Sequence, residues 1–219
     1  MTAAAFALTS AVCYGIADFT GGLLSRRAHF ASVALSGQCG GLLLGLVASL
    51  LSGAVPRPVD LIWGGVSGAG TGLVTRHGGQ HGGHPPASRD ALLAGAGIAL
   101  QYLALAQAAL ESGAWAVAAG RVVAIAVILP ALAHRTDRPR MSGPVTVGAA
   151  ATGAVAALAL VFYLSAVHMG LMVIAVVLSS MYPVIPVVLG LTALRERVST
   201  LQAAGLVGAA AAGGLLAAG

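Results

Sequence analysis

The stretch LSSMYPVIPVVLGLTALRERVSTLQAAGLVGAAAAGGLLAAG, Leu178 to Gly219, decides how the chain is read. It holds an apolar segment with two prolines, a charged Arg195-Glu196-Arg197 turn, and a second apolar segment of Ala, Gly, Leu and Val. The first of these segments, Leu171 to Ala193, runs 23 residues without a charge. At about 1.5 Å per residue, that length crosses a hydrocarbon core of ~30 Å. Pro183 and Pro186 each remove one backbone donor within it, so the spacing predicts a broken helix. In lipid such a break survives only where neighbouring helices or a cavity satisfy the freed carbonyls.

The rest of the chain has the same character. It is 58% hydrophobic and 8% charged, with a mean hydropathy of +0.94. Soluble domains carry about 25% charged residues, so the composition predicts an integral membrane protein and excludes a soluble core. All the basic side chains are arginine, and most lie between apolar runs. The pI near 10.0 therefore reads as loop arginines facing anionic headgroups, not as a nucleic-acid surface. The absence of lysine fits a high-GC coding bias. Cys13 and Cys39 both fall inside apolar segments, a pattern that implies neither a disulfide framework nor a metal site. The first apolar run lacks a basic leader and carries its arginines on the far side, so it reads as a span and not a cleaved signal peptide.

Eight apolar segments are expected, roughly 3–25, 29–53, 59–75, 90–110, 113–133, 143–167, 171–193 and 199–218. The third is short and glycine-rich. The fourth and fifth are joined by a few residues around Glu111 and Ser112, which predicts a tight helical hairpin. Sliding the chain on itself by 83 residues aligns Pro56-Arg57 with Pro139-Arg140, Gly37-Gln38 with Gly120-Arg121, and Asp18-Phe19 with Gln101-Tyr102. It also places Gly65 on Gly148 and Gly70 on Gly153. One ungapped offset thus relates three segments in each half.

The charges bear on the orientation of that repeat. Arg26, Arg27, Arg76, Arg89, Arg135, Arg138, Arg140, Arg195 and Arg197 fall in the odd-numbered loops, and Arg57 falls in an even one. The positive-inside rule then puts the odd loops in the cytoplasm and both ends of the chain outside. An odd number of spans separates the first segment from the fourth, so the two halves are inverted. They are also unequal. The second half continues for 60 residues (160–219) past the point where the first offers about 13 (77–89) before the repeat restarts. The intervening RHGGQHGGHPPAS reads as a junction left by a deletion or a shifted reading frame.

Tyr182, Pro183, Glu196, Gln202 and Gly205 carry a resemblance. A serine-rich turn into Tyr-Pro, an apolar run, a Glu at the helix end and a Gly-rich closing helix resemble the end of an EamA-type repeat, of the drug/metabolite transporter superfamily. The family's ten helices form two five-helix repeats, and this chain departs from that by two. The resemblance implies an all-α polytopic membrane protein of about eight transmembrane helices in an incomplete inverted repeat (3+5). Its parts would be residues 1–76, a first repeat truncated after three helices, a junction at 77–89, and a five-helix second repeat at 90–219. It further implies alternating-access movement of a small metabolite, amino acid or drug across the inner membrane, with proton coupling left open. The lipid bilayer and a small molecule would be its partners, with a homodimer left open and no cofactor. A non-transporting remnant is the alternative, given the lost hairpin.

Candidate site residues are those at depth. Asp18, in YGIADFTGGLLSRR, is an ionisable group two turns before the arginines, suited to carry a coupling proton or to attract a cation. Arg121, in AWAVAAGRVVAIAVILPALA, could bind a carboxylate through its planar fork or pair structurally with Asp18. Gln38 and Asp18 are the repeat partners of Arg121 and Gln101, so a pseudo-two-fold axis would gather all four around one polar cavity. Gln107 is a further polar group at depth, and Tyr163 and Tyr182 could line a cavity or simply pack. The expected substrate-binding set is Asp18, Gln38, Gln101, Arg121, Tyr182, Pro183 and Pro186. Glu196 reads as a structural partner of its neighbouring arginines. His77, His81 and His84 have glycines in place of a scaffold and no nearby carboxylate or thiolate, so no metal site is expected. Gly65-Val66-Ser67-Gly68 spells the GxSG of rhomboid-type intramembrane proteases, with His168 as the available base. The same small residues serve helix packing, and the other signatures of that family are missing.

Overall fold

The computed structural model describes residues 2–78, 87–133, 141–170 and 172–194, with positions 204, 205, 207, 208, 211 and 215. Most of those residues are helical, with no strand among them. The helices are α1 (Thr2–Ser25), α2 (Phe30–Ser52), α3 (Pro58–Gly78), α4 (Ala87–Leu105), α5 (Trp115–Ala133), α6 (Gly143–Met169), α7 (Met172–Ser179) and α8 (Val184–Ala193). A 3₁₀ turn, Leu110–Ser112, precedes α5. Four stretches are long and apolar enough to cross a membrane: Ala3–Ser25, Phe30–Ser52, Gly143–Met169 and the broken Met172–Ala193. Leu92–Leu105 and Trp115–Pro130 are shorter apolar helices. This is the fold of an all-helical chain compatible with a membrane. The expected eighth segment, the Arg195-Glu196-Arg197 turn and Gln202 lie largely or wholly outside the described residues, as do His81 and His84; of the side chain of His77 nothing is described.

The helix ends follow local chemistry. His29 caps α2, its Nδ1 accepting the Ala31 N–H at 3.2 Å. Gly53 closes the same helix at φ 64°, a left-handed conformation that suits glycine. Pro58 opens α3 at the position where a missing N–H costs nothing. The expected fourth segment reached residue 110, but α4 stops at Leu105. The chain there turns through Ala106–Ala109, because its backbone is drawn to a side chain of α3.

By contact the chain divides into two compact units, residues 1–20 with 158–219, and residues 21–157. In the second unit the glycines set the packing. On α3, Gly64, Gly68 and Gly72 face Ala116, Gly120 and Ala124 of α5. The paired numbers rise together, so the two helices run parallel. A Cβ on Gly68 would overlap the carbonyl of Gly120, so this seam exists only because both positions lack side chains. A second seam joins α2 to α6, where Gly37 and Gly153 abut and Gly40 meets the Ala150 carbonyl. Helices α2 and α5 also touch, Gly45 against Ala118 and Gly41 against Arg121. Those numbers run in opposite senses, so α2 and α5 are antiparallel. Lipid tails supply no hydrophobic force between helices, and interfaces of small residues gain their stability from close van der Waals packing.

In the first unit α1 packs on α6, α7 and α8. The rings of Phe6 and Phe162 lie 5.9 Å apart, and the Ser179 hydroxyl donates to the Ala7 carbonyl at 3.4 Å. Between α7 and α8 the Met181, Tyr182, Val184 and Ile185 N–H groups each bond three residues back. The break is thus a tightened turn, not a gap. Pro183 stands at its end as the cap of α8. Pro186 lies within the first turn of α8, where an amide hydrogen has no intrahelical acceptor. The break therefore belongs to Pro183, and Pro186 interrupts no hydrogen bond.

Candidate functional site

Two groups of polar residues emerge, one in each unit. In the unit of residues 21–157, Arg121 is buried on α5 and its Nη1 donates to Gln38 Oε1 of α2 at 2.9 Å. The bond exists because Gly41, one turn along α2, has no side chain: a Cβ there would lie 3.1 Å from Arg121 Nε and 2.9 Å from the Gly153 carbonyl. The guanidinium stem thus lies across a glycine face between helices. Gln101 is also buried, on α4. Gln38, Gln101 and Arg121 fall in this unit and Asp18 in the other.

In the unit of residues 1–20 and 158–219, Asp18 is exposed on α1. It makes no hydrogen bond or ion pair to another described residue. Tyr14, one turn before it, meets the ring of Tyr182 at 5.3 Å and 50°, and Tyr182 lies within electrostatic reach of Asp18. Gly15 allows this approach, since a Cβ there would meet Ile185 and the Tyr182 carbonyl. The structure therefore brings Asp18, Tyr182, Pro183 and Pro186 of the expected set into one unit, and adds Tyr14, which the sequence reading did not single out. Its signal was available: Tyr14 and Asp18 are four apart on one helix face. Tyr163 is fully buried on α6. An exposed carboxylate one turn from a tyrosine pair suits positive charge by direct attraction.

The sequence reading treated Asp18 and Arg121 as the charged groups at depth and passed over Asp60. Asp60 is buried in the first turn of α3. Its Oδ1 accepts the Ala109 N–H at 3.1 Å, and its Oδ2 accepts the Ser112 hydroxyl. Ser112 Oγ in turn accepts the Arg57 N–H at 3.2 Å. Arg57 Nε stands 3.7 Å from Asp60, and its Nη1 bonds Glu111 at 3.4 Å. Trp115 Nε1 donates to the Ala54 carbonyl at 2.9 Å across the same junction. Pro58 followed by an acid in the first turn marks a helix start, and that was the legible signal.

Ser67 is buried on α3, and Gly68 of the GxSG motif sits on Gly120. That part of the motif is used in packing. Ser67 and His168 belong to different units. Among the described residues no group of three His, Cys, Asp or Glu side chains could hold a metal. Comparison with models of protein families, with curated proteins and with solved structures returns no match.

Proposed function

We propose that the chain is a membrane transporter of small molecules, working by alternating access between two inverted halves and resembling an EamA-type protein shortened in its first half. The observation that carries this reading is the bond between Gln38 and Arg121. They stand 83 residues apart, which is the offset that aligns the two halves of the sequence. A residue that touches its own repeat mate lies at the pseudo-two-fold axis. The antiparallel course of α2 and α5 is what an axis in the membrane plane requires. The glycine seams agree: α2 against α6 and α5 against α3 are counterparts under the same offset. Inverted repeats of this kind permit alternating access by rocking one half against the other.

The break at Tyr182-Pro183 beside Asp18 is the substrate contact in this reading. Broken helices are where such transporters bind their cargo. Asp18 with Tyr14 and Tyr182 favours a cation, or the ammonium end of an amino acid. Arg121, held by Gln38 and laid across Gly41, serves as a clamp between halves. The inner membrane is the location implied.

The test is reconstitution of the full chain in proteoliposomes with an imposed pH gradient. Uptake of radiolabelled amino acids and of the cationic dye ethidium is followed, with Asp18→Asn as the control. Uptake lost in Asp18→Asn supports the reading. Absence of uptake for every probe, from protein that reconstitutes in one orientation, would favour the non-transporting remnant.

A further inference from the structure

The network around Asp60 joins the two proposed halves at one end. Arg57 and Asp60 belong to the connection between α2 and α3 and to the start of α3, in the first half. Ala109, Glu111, Ser112 and Trp115 belong to the connection between α4 and α5, in the second. Asp60 and Ser112 are almost wholly buried, and both carboxylate oxygens of Asp60 are engaged. Gly113, at φ 50°, lets the two connections meet, since a Cβ there would lie 2.9 Å from the Ala54 Cβ.

The 83-residue offset gives the counterpart at the opposite end. Asp60 corresponds to Gly143, Ser112 to His29 and Glu111 to Ala28. The acid that accepts two hydrogen bonds at one end is thus a glycine at the other. His29, in the place of Ser112, accepts a bond from its own helix start. The sequence repeat is kept, and the acid of the network is not repeated with it.

We propose that Asp60, with Ser112, Arg57 and the Ala109 N–H, is a latch that closes the α2–α3 end of the molecule between its two halves. The proposal rests on the alternating-access reading, because a latch implies a face that opens. By arginine distribution this face is the outer one. Opening it exchanges buried bonds to a carboxylate for bonds to water. Charge-assisted bonds of this kind are among the stronger ones, so the latch biases the protein towards closure on that side.

The experiment reads accessibility, not transport. Ser49 is buried on α2, one turn nearer the latch than Gly45, which rests on Ala118. Ser49→Cys is placed in a Cys13→Ala, Cys39→Ala background, in right-side-out vesicles, and its labelling by a membrane-impermeant maleimide is timed. Ala28→Cys, labelled from the inside, reports on the opposite face. Asp60→Asn and Ser112→Ala are each expected to raise labelling at position 49 at least tenfold while leaving position 28 unchanged. Unchanged labelling at position 49 overturns the latch, and so does an equal rise at both faces, which reports general loosening. Failure of both variants to insert also overturns it, by making the network a folding element. A failed transport assay with a positive labelling result would leave the latch standing and remove the transporter reading.

Discussion

Arg121 and Gln38 meet through a 2.9 Å hydrogen bond between antiparallel helices. Gln38→Leu removes the acceptor at Arg121 Nη1 and leaves a buried donor to be satisfied elsewhere. A cost of about 1–3 kcal/mol is expected. Arg121→Met together with Gln38→Leu removes both partners and should be less damaging than Gln38→Leu alone. The coupling energy expected is ~0.6 kcal/mol, with about 1.7 as an upper bound for bonds of this type. Unfolding in mixed detergent micelles, followed for both singles and the double variant, measures it. Additive effects would place the two side chains in independent environments.

Gly68 and Gly65 make a contrasting pair. A Cβ at Gly68 would overlap the Gly120 carbonyl, whereas one at Gly65 would touch Val123 Cγ2 at an ordinary 3.4 Å. Gly68→Ala is expected to destabilise by about 1–3 kcal/mol, as over-packing does, and Gly65→Ala to be close to neutral. Thermal aggregation of detergent-solubilised protein compares them. The same seam bears on Ser67. Ser67→Ala should leave insertion intact, and a fluorophosphonate probe should not label the wild type. Labelling that disappears in Ser67→Ala would revive the hydrolase reading.

Single cysteines at Ala28 and Val55, with Cys13 and Cys39 replaced by Ala, test the sidedness given by the arginines. The α1–α2 and α2–α3 connections lie at opposite ends of one helix. Impermeant maleimide should reach Val55→Cys in intact cells, and Ala28→Cys only after permeabilisation. Labelling of both from one side would refute α2 as a span.

Pro186→Ala should change stability by no more than ~0.5 kcal/mol, the ordinary range for a change that breaks no interaction. The residue sits in the first turn of α8, where its missing N–H leaves no acceptor empty. Urea-free thermal melts in detergent, run beside the wild type, decide it. A large loss would mean that the proline ring itself packs at the break.

The helices bounded by charged or capping residues were legible. Phe30–Ser52 was read as 29–53, and Gly143–Met169 as 143–167, since an unbroken apolar run ends where His29, Gly53 or Gly143 stands. The break at Pro183 was legible for the same reason: proline removes a donor wherever it falls. Pro186 was misjudged because its effect depends on its place within a helix, and the start of α8 is fixed by the turn before it. The stop of α4 at Leu105 was not legible. It depends on the Ala109 N–H reaching Asp60, 49 residues away, and local propensity holds no record of that partner. Among the candidate residues, Gln38 and Arg121 were tied by the repeat and do meet. Tyr14, one turn before Asp18 on the same helix, is not singled out by the sequence, because its ring contact is with Tyr182, 168 residues away.

The seam of Gly64, Gly68 and Gly72 against Ala116, Gly120 and Ala124 has a material consequence. Two helices that meet backbone to backbone release almost no ordered water and freeze almost no rotamers when they join. Their cohesion therefore gains little from the solvent and depends on how firmly the surrounding medium presses from the sides. A fluid, loosely packed micelle supplies less of that lateral pressure than a bilayer. The α3–α5 seam is therefore expected to loosen as lipid is stripped away, and to be protected more by added phospholipid than by added salt.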